Sequence, residues 1–313
     1  MKKLLLIPVL ASLLFSCKKE DSTSTTTVPK EKRPVQFSIA DFIREEENLG
    51  SAHGRAIQAT ASQDTAPAVR LSDIYYLAYN DNGVKVSYRH QDTVNQRATF
   101  GTIADSLAPG TYTIVFIASE KPIYTEALTF NNNINAHYFG PELTGVGVLP
   151  MGDLFYKKLQ VTVSAAGNIA TQPVTLDRIV GRLEVNILDA LPATDNNGYI
   201  WTQVNPITLF YNIYNNTVRP PEYTWDWRGT RINQNTFRDY ILGSDSAFNV
   251  TIHYRDKNTG ADQVKVINNV KCNTNKKTII KGYLYGVPGN PGGPAYQVRI
   301  NQDWNTSSNV INF

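Results

Sequence analysis

Residues 71–86 read LSDIYYLAYNDNGVKV, and this stretch decides the fold class. Asn82-Gly83 separates two apolar runs and is typical of a type I′ turn in a β-hairpin. After the turn, apolar and polar side chains alternate: Val84, Val86 and Tyr88 against Lys85, Ser87 and Arg89. A period of two with one polar face predicts an antiparallel sheet that packs on one side.

The same alternation recurs along the chain. Leu183, Val185 and Ile187 alternate with polar residues, as do Phe248, Val250 and Ile252. Turn residues punctuate the runs at 109–110 and 258–260. Short, regularly spaced strands of this kind predict an all-β protein built from β-sandwiches. Residues 42–49 and 151–155 are the segments in which we expect a helical turn.

The order of these patterns predicts two tandem antiparallel β-sandwich domains. We expect the first over residues 35–172 and the second over 173–313, where VTLDRIVGRLEVNI begins a fresh strand. Residues 286–294, GVPGNPGGP, contain too many glycines and prolines for a regular element. They lack the lysine and the following helix of a phosphate-binding loop.

The first seventeen residues, MKKLLLIPVLASLLFSC, predict export. Two lysines precede an apolar stretch that is too short for a membrane-spanning helix, as in a signal peptide. Residues 14–17, LFSC, resemble a lipobox, which implies cleavage after residue 16 and acylation of Cys17. The chain would then be a lipoprotein held in the membrane by its lipid. The alternative is an ordinary signal peptide with an incidental cysteine.

Residues 17–34 predict a lipidated, flexible tether. Residues 18–21, KKED, resemble the export signal of outer-membrane surface lipoproteins, although they also fit a solvated charge run. The Ser/Thr tract at 22–27 contains no aromatic residue and cannot bury enough surface to become ordered. We therefore expect the protein at the outer membrane, on the cell surface.

Composition and motifs exclude several functional classes. The net charge is +3 with 18% charged residues, and no basic stripe indicates a nucleic-acid partner. The four histidines are not at metal-ligand spacing, and no G-x-S-x-G motif occurs. We expect neither a catalytic residue, nor a metal, nor a cofactor. With Cys17 acylated, Cys272 has no disulfide partner, and we expect it to be a small buried side chain.

Two tryptophans leave two interpretations open. Trp225 and Trp227 lie on one side of an extended segment, with Asp226 on the other. If buried, they belong to the core of the second sandwich. If exposed, they form a stacking platform for sugar rings or a protein contact.

Asp-Ser/Thr dipeptides are unusually frequent. They resemble the O-glycosylation acceptor motif of secreted proteins from Bacteroidetes, but Asp-Ser/Thr also marks turns. The candidate acceptor residues are Ser22, Thr65, Thr93, Ser106 and Ser246.

The order of elements carries a family resemblance. A lipobox precedes VQFSIADF (35–42) and the hairpin sequence at 71–86; then come FGTIADSLAPGTYTIVFIAS (100–119), MGDLFYKKLQVTV (151–163) and LDRIVGRLEVNI (176–187). This resembles the fimbrillin-A-associated anchor family of Bacteroidetes fimbriae and, more broadly, the type V pilus subunits. The resemblance implies two transthyretin-like sandwiches and a structural role, with no catalytic residues to transfer.

The resemblance also implies how subunits join. Such subunits donate an extended strand into a neighbour's sandwich, and an anchor subunit keeps its lipid and accepts the strand of the first stalk subunit. In stalk-type relatives a trypsin-like protease removes the lipidated N-terminal strand, and Arg55 or Arg70 could be the cleavage site here. That alternative makes the chain a stalk or tip subunit. Residues 296–313 fit either a donor strand or the last core strand. An alternative of another class is a surface glycan-binding lipoprotein.

Overall fold

The computed structural model describes residues 31–42, 71–144, 147–166, 171–191, 199–219, 228–243, 246–285, 296–299 and 310–312. Apart from Glu31, these residues belong to the compact unit Lys32–Phe313. The first eleven strands are β1 (Arg33–Phe42), β2 (Asp73–Asn80), β3 (Lys85–Asp92), β4 (Thr102–Leu107), β5 (Gly110–Ser119), β6 (Ile123–Tyr124), β7 (Tyr138–Pro141), β8 (Leu143–Thr144), β9 (Gly147–Val148), β10 (Leu154–Val163) and β11 (Gln172–Arg178).

The remaining strands are β12 (Val180–Ile187), β13 (Trp201–Asn205), β14 (Tyr211–Asn212), β15 (Thr217–Val218), β16 (Thr230–Asn233), β17 (Thr236–Leu242), β18 (Phe248–Arg255), β19 (Asp262–Val270), β20 (Lys277–Gly282), β21 (Tyr296–Arg299) and β22 (Val310–Asn312). Helical structure in the described residues comprises α1 (Glu126–Phe130) and a 3₁₀ helix at Ile134–Ala136. The all-β prediction is confirmed.

A seven-stranded sheet in the order β3-β2-β5-β10-β11-β1-β4 dominates the first half of the chain. Strands β2 and β5 are buried on both faces, and their alternate side chains enter two different cores. Tyr75, Leu77 and Tyr79 join one apolar cluster, whereas Ile74 and Tyr76 join the other. Burial on both faces explains why residues 74–79 read as a continuous apolar run and not as an alternation.

The hairpin between β2 and β3 forms where the sequence predicts it, but its turn is of another type. Gly83 has a φ of +70° and its N–H donates to the Asn80 carbonyl at 2.8 Å. A type I′ turn needs positive φ at both central residues. Among the described residues, the non-glycine positions with positive φ are Asn216, Asn269 and Asn275, which excludes Asn82. The type I′ prediction is therefore wrong, and Gly83 alone supplies the left-handed residue.

The second half of the chain forms a sheet in the order β16-β17-β12-β20-β21-β22 and a three-stranded sheet β13-β18-β19. The alternation predicted at residues 84–89 is wrong, because Val84 and Val86 are 40% and 45% exposed. The buried apolar positions predicted in β12 and β18 are confirmed, because Leu183, Val185, Val250 and Ile252 are buried. Their apolar side chains belong to the cluster that also contains Tyr75.

Three further expectations, two helical turns and one domain division, meet different outcomes. The helical turn expected at residues 151–155 is wrong: β10 begins at Leu154, and buried Leu154 and Phe155 project to opposite cores of the sheet. Residues 43–49 lie outside the described residues. The division at residue 172 falls at the start of β11, which pairs with β1 and β10. The assignment of two sandwich domains stays a prediction.

Candidate functional site: the slot of the first strand

Strand β1 lies between two strands that are distant from it in sequence. It runs antiparallel to β4, with Phe37 opposite Ile103, and parallel to β11, with Ile39 opposite Val174. Among the described residues, the main-chain pairing of β4 is with β1, so β4 is joined to the sheet through this strand. Strand β1 is therefore a bridge between β11 and β4.

The side chains of β1 alternate between buried and more exposed positions. Val35, Phe37 and Ile39 are at most 3% exposed, whereas Gln36 is exposed. The Phe37 ring lies 5.3 Å from the Phe116 ring between centroids, in an edge-on arrangement. A buried Val, Phe or Ile side chain contributes about 1.5–3 kcal/mol by leaving water. Strand β1 is thus bound by apolar contacts as well as by main-chain hydrogen bonds.

We call the space that β1 occupies the β1 slot. Its walls carry apolar side chains of the same core cluster, namely Ile103 and Leu107 from β4 and Val174 and Leu176 from β11. Without β1, the slot would present an apolar groove and the unpaired main-chain groups of two strands. Such an edge binds an added strand readily.

A polar pair borders the slot on β3 and β4. Arg89 Nη2 contacts the buried Asp105 carboxylate at 3.0 Å. Burial, and then the nearby Asp105 carboxylate, raise the pKa of Tyr76 above its ordinary value, so this phenol stays neutral in the core. This ion pair lies beside the slot, whose walls are otherwise formed by the apolar side chains named above.

The sequence-predicted site residues fall into two groups. Seven of them lie outside the described residues: Cys17, Ser22, Arg55, Thr65, Arg70, Trp225 and Trp227. Of the other candidate acceptors, Thr93 is half-buried, Ser106 is exposed on β4, and Ser246 is exposed. Lipidation, cleavage and glycosylation at these positions stay predictions.

Cys272 follows the end of β19 and is fully buried. Burial raises the pKa of its thiol to about 12, which makes it unreactive. The prediction of a buried structural cysteine is confirmed.

Metal clusters and membrane-spanning helices are both absent from the described parts of the chain. No group of three or more His, Cys, Asp or Glu side chains there is arranged to hold a metal ion. No helix of those parts has the length and apolar composition needed to cross a membrane.

The C-terminal segment adds strands to the second sheet. Strand β22 runs parallel to β20, with Ile280 opposite Ile311, and β21 pairs with both. A role as donor strand or as last core strand stays open.

Sequence comparison supplies the assignment. The model of the family described as fimbrillin-A associated anchor proteins Mfa1 and Mfa2 matches residues 61–310. The chain belongs to this family. It is therefore a structural protein of fimbriae and not an enzyme, which confirms both the resemblance and the expected class. Family membership also associates it with other fimbrial subunits and with the cell surface.

Two solved structures from Porphyromonas gingivalis are similar to the chain. The fimbrial anchor protein Mfa2 shares 15% identity with a TM-score of 0.45, over 82% of this chain and 93% of that one. The C-terminally truncated tip fimbrial protein Mfa3 shares 13% identity with a TM-score of 0.45, over 83% and 96%. No curated protein matches the sequence significantly.

Sequence reasoning identified β1 as a strand but did not predict its place in the sheet, between β11 and β4. Nothing in residues 35–42 indicates a parallel partner at β11. The partnership of β1 and β4 is likewise a long-range feature, because residues 43–101 separate the two strands.

Proposed function

We propose that the protein is an outer-membrane lipoprotein of a fimbria, an anchor subunit that binds a stalk subunit by donor-strand complementation. The observation that carries the proposal is the position of β1, an N-terminal strand that bridges β11 and β4 in the seven-stranded sheet. A strand in this position can be exchanged for an equivalent strand of another subunit, because the contacts described for β1 are main-chain pairing with β4 and β11 and apolar packing of Val35, Phe37 and Ile39.

Strand β1 lies close to the predicted lipid in sequence. It begins at Arg33, and the tether between it and Cys17 comprises residues 18–32. If a stalk strand displaces β1, the uncut chain remains covalently attached to its lipid. The subunit then holds the fibre through the slot and the membrane through Cys17, and these are the two attachments that an anchor needs.

Cleavage at Arg55 or Arg70 would have the opposite result. Either cut separates the lipidated segment, with β1, from all strands that follow. Release of β1 would then open the slot and free the subunit from the membrane, as a stalk or tip subunit requires. This alternative stays open because both arginines lie outside the described residues. Glycan binding by Trp225 and Trp227 also stays a prediction, because both tryptophans lie outside the described residues.

A disulfide lock tests the exchange of β1. Gln36 on β1 and Ala104 on β4 are exposed cross-strand partners in an antiparallel pair, which suits disulfide geometry. The variant with Gln36→Cys and Ala104→Cys should hold β1 in the slot when oxidised. A matched control places the same bond between Thr251 and Val266, which pair across β18 and β19.

The experiment isolates the variants from the outer membrane of a cell that assembles the fimbria. We expect the oxidised Gln36→Cys/Ala104→Cys chain to lose its stalk subunit, and reduction before assembly to restore it. The control should retain the stalk subunit in both states. Retention of the stalk subunit by the oxidised slot variant would exclude the slot as its binding site.

A further inference from the structure

We propose that a groove beside the β2–β3 hairpin binds a neutral oligosaccharide. The groove is separate from the β1 slot and has a volume of about 550 Å³, within the usual size of small-molecule sites. We call it the hairpin groove. Its polar lining comes from the hairpin tip at 80–83 and from Thr111, Thr113, Asn135, Lys158, Gln160 and Tyr214.

The walls of the groove are fixed by hydrogen bonds. The Asn80 side-chain oxygen accepts from the N–H groups of Asn82 and Val84 at 3.1 and 3.0 Å. The Ile134 N–H donates to the Gly83 carbonyl at 2.9 Å, which ties the hairpin tip to the 3₁₀ helix. A ligand would therefore meet a preformed wall, and little conformational entropy would be lost on binding.

Lys158 fixes the opposite rim. Its Nζ donates to the carbonyls of Ile213 and Tyr214, at 3.1 and 2.8 Å. These bonds hold the turn that carries the Tyr214 side chain, which is 57% exposed. An exposed aromatic ring on a fixed turn at the edge of a polar groove can stack on the face of a sugar ring.

The chemistry of the lining indicates a neutral, hydroxyl-rich ligand. Within the part of the chain that the structure describes, no hydrogen-bond partner is seen for the side chains of Asp81, Asn82, Asn135 and Gln160. Their amide and carboxylate groups can donate to and accept from hydroxyls. The negative charge of Asp81 is balanced by the positive charge of Lys158, so the groove does not favour a strongly charged ligand.

A peptide strand does not suit the groove floor. Thr113 of β5 pairs with Tyr79 on one side and with Gln160 on the other, so its main chain has no free edge for an added strand. Recognition must come from side chains, which distinguishes this groove from the β1 slot.

The test measures binding of defined oligosaccharides to the full chain by titration calorimetry and saturation-transfer NMR. The neutral probes are maltohexaose, cellohexaose, xylohexaose and mannohexaose, and the acidic probe is tetragalacturonate. We expect a neutral probe to bind, and Tyr214→Ala to weaken it about 3- to 10-fold through loss of stacking. The double variant Tyr214→Ala/Gln160→Ala should bind that probe more weakly still.

Tyr199→Ala is the matched control, because Tyr199 is another exposed tyrosine, 40% exposed, which does not line the groove. It should leave the affinity unchanged. The proposal would be overturned if no neutral probe binds, if Tyr214→Ala and Gln160→Ala leave binding unchanged, or if the protein prefers tetragalacturonate. None of these outcomes bears on the disulfide lock, so the two proposals fail independently.

Discussion

Replacing Phe37 with alanine should release β1 from its slot. The Phe37 side chain is fully buried, and its ring lies 5.3 Å from that of Phe116 and 5.8 Å from that of Tyr76. Truncation of a buried phenylalanine costs about 3–5 kcal/mol, from lost burial and from the cavity that remains. Because about 1.4 kcal/mol is a factor of ten, the strand should dissociate about 100- to 4,000-fold faster.

The assay follows dissociation of β1 after the covalent link to it is cut. A specific protease site placed within residues 43–70 allows the chain to be cleaved there, and the N-terminal fragment is then held by the slot alone. Release of that fragment is followed by size-exclusion chromatography under native conditions. Gln36→Ala is the matched control on the same strand: Gln36 is exposed, and an exposed substitution should change stability by no more than about 0.5 kcal/mol. Equal release rates for the two variants would refute the reasoning that apolar contacts hold β1.

Three further predictions concern stability and reactivity. Burial lowers the pKa of His137 below 6.5, so the unfolded chain takes up a proton that the folded chain does not. The free energy of unfolding should therefore fall as the pH drops below about 6.5. The urea midpoints at pH 7.5 and 5.5 should differ less for His137→Gln than for the unchanged protein. An equal difference in both proteins would contradict the role of His137 in this pH dependence. The Asp153 carboxylate contacts Arg178 Nε at 2.7 Å with both side chains 1% exposed, so Asp153→Ala should cost about 3–5 kcal/mol in urea unfolding. Asp177→Ala, which removes an exposed ion pair, should cost less than about 1 kcal/mol, and similar losses would refute the role of burial. Burial raises the pKa of Cys272 to about 12, so this thiol should react with a disulfide reagent at the rate of unfolding, and immediate reaction would show that it is accessible.

The sequence predicts local structure better than it predicts long-range pairing. The alternations of β12 and β18 follow from burial of one face, and the structure reproduces them. The sequence does not predict the turn type at Asn82-Gly83 correctly, because Gly83 adopts a positive φ and Asn82 does not. Residues 151–155 include the buried Asp153, whose partner Arg178 lies on β11, so tertiary contacts decide the structure there.

The candidate site shows the same limit. The position of β1 between β4 and β11 depends on pairing across distant segments, which the sequence of residues 35–42 does not reveal. The hairpin groove was not predicted at all, because its lining comes from five separate segments of the chain. Its one local signal is the Asn-Asp-Asn-Gly sequence at 80–83, which predicts a turn and not a binding site.

The anchor assignment is tested most directly by the covalent state of the protein in its native outer membrane. Mass spectrometry of the N-terminus, combined with identification of co-purifying fimbrial subunits, provides this measurement. We predict an intact chain that begins at acylated Cys17 and has a stalk subunit attached. A chain that begins at Ala56 or Leu71 would contradict the anchor role and indicate a processed stalk or tip subunit, and an acylated chain without any fimbrial partner would contradict it in favour of glycan binding.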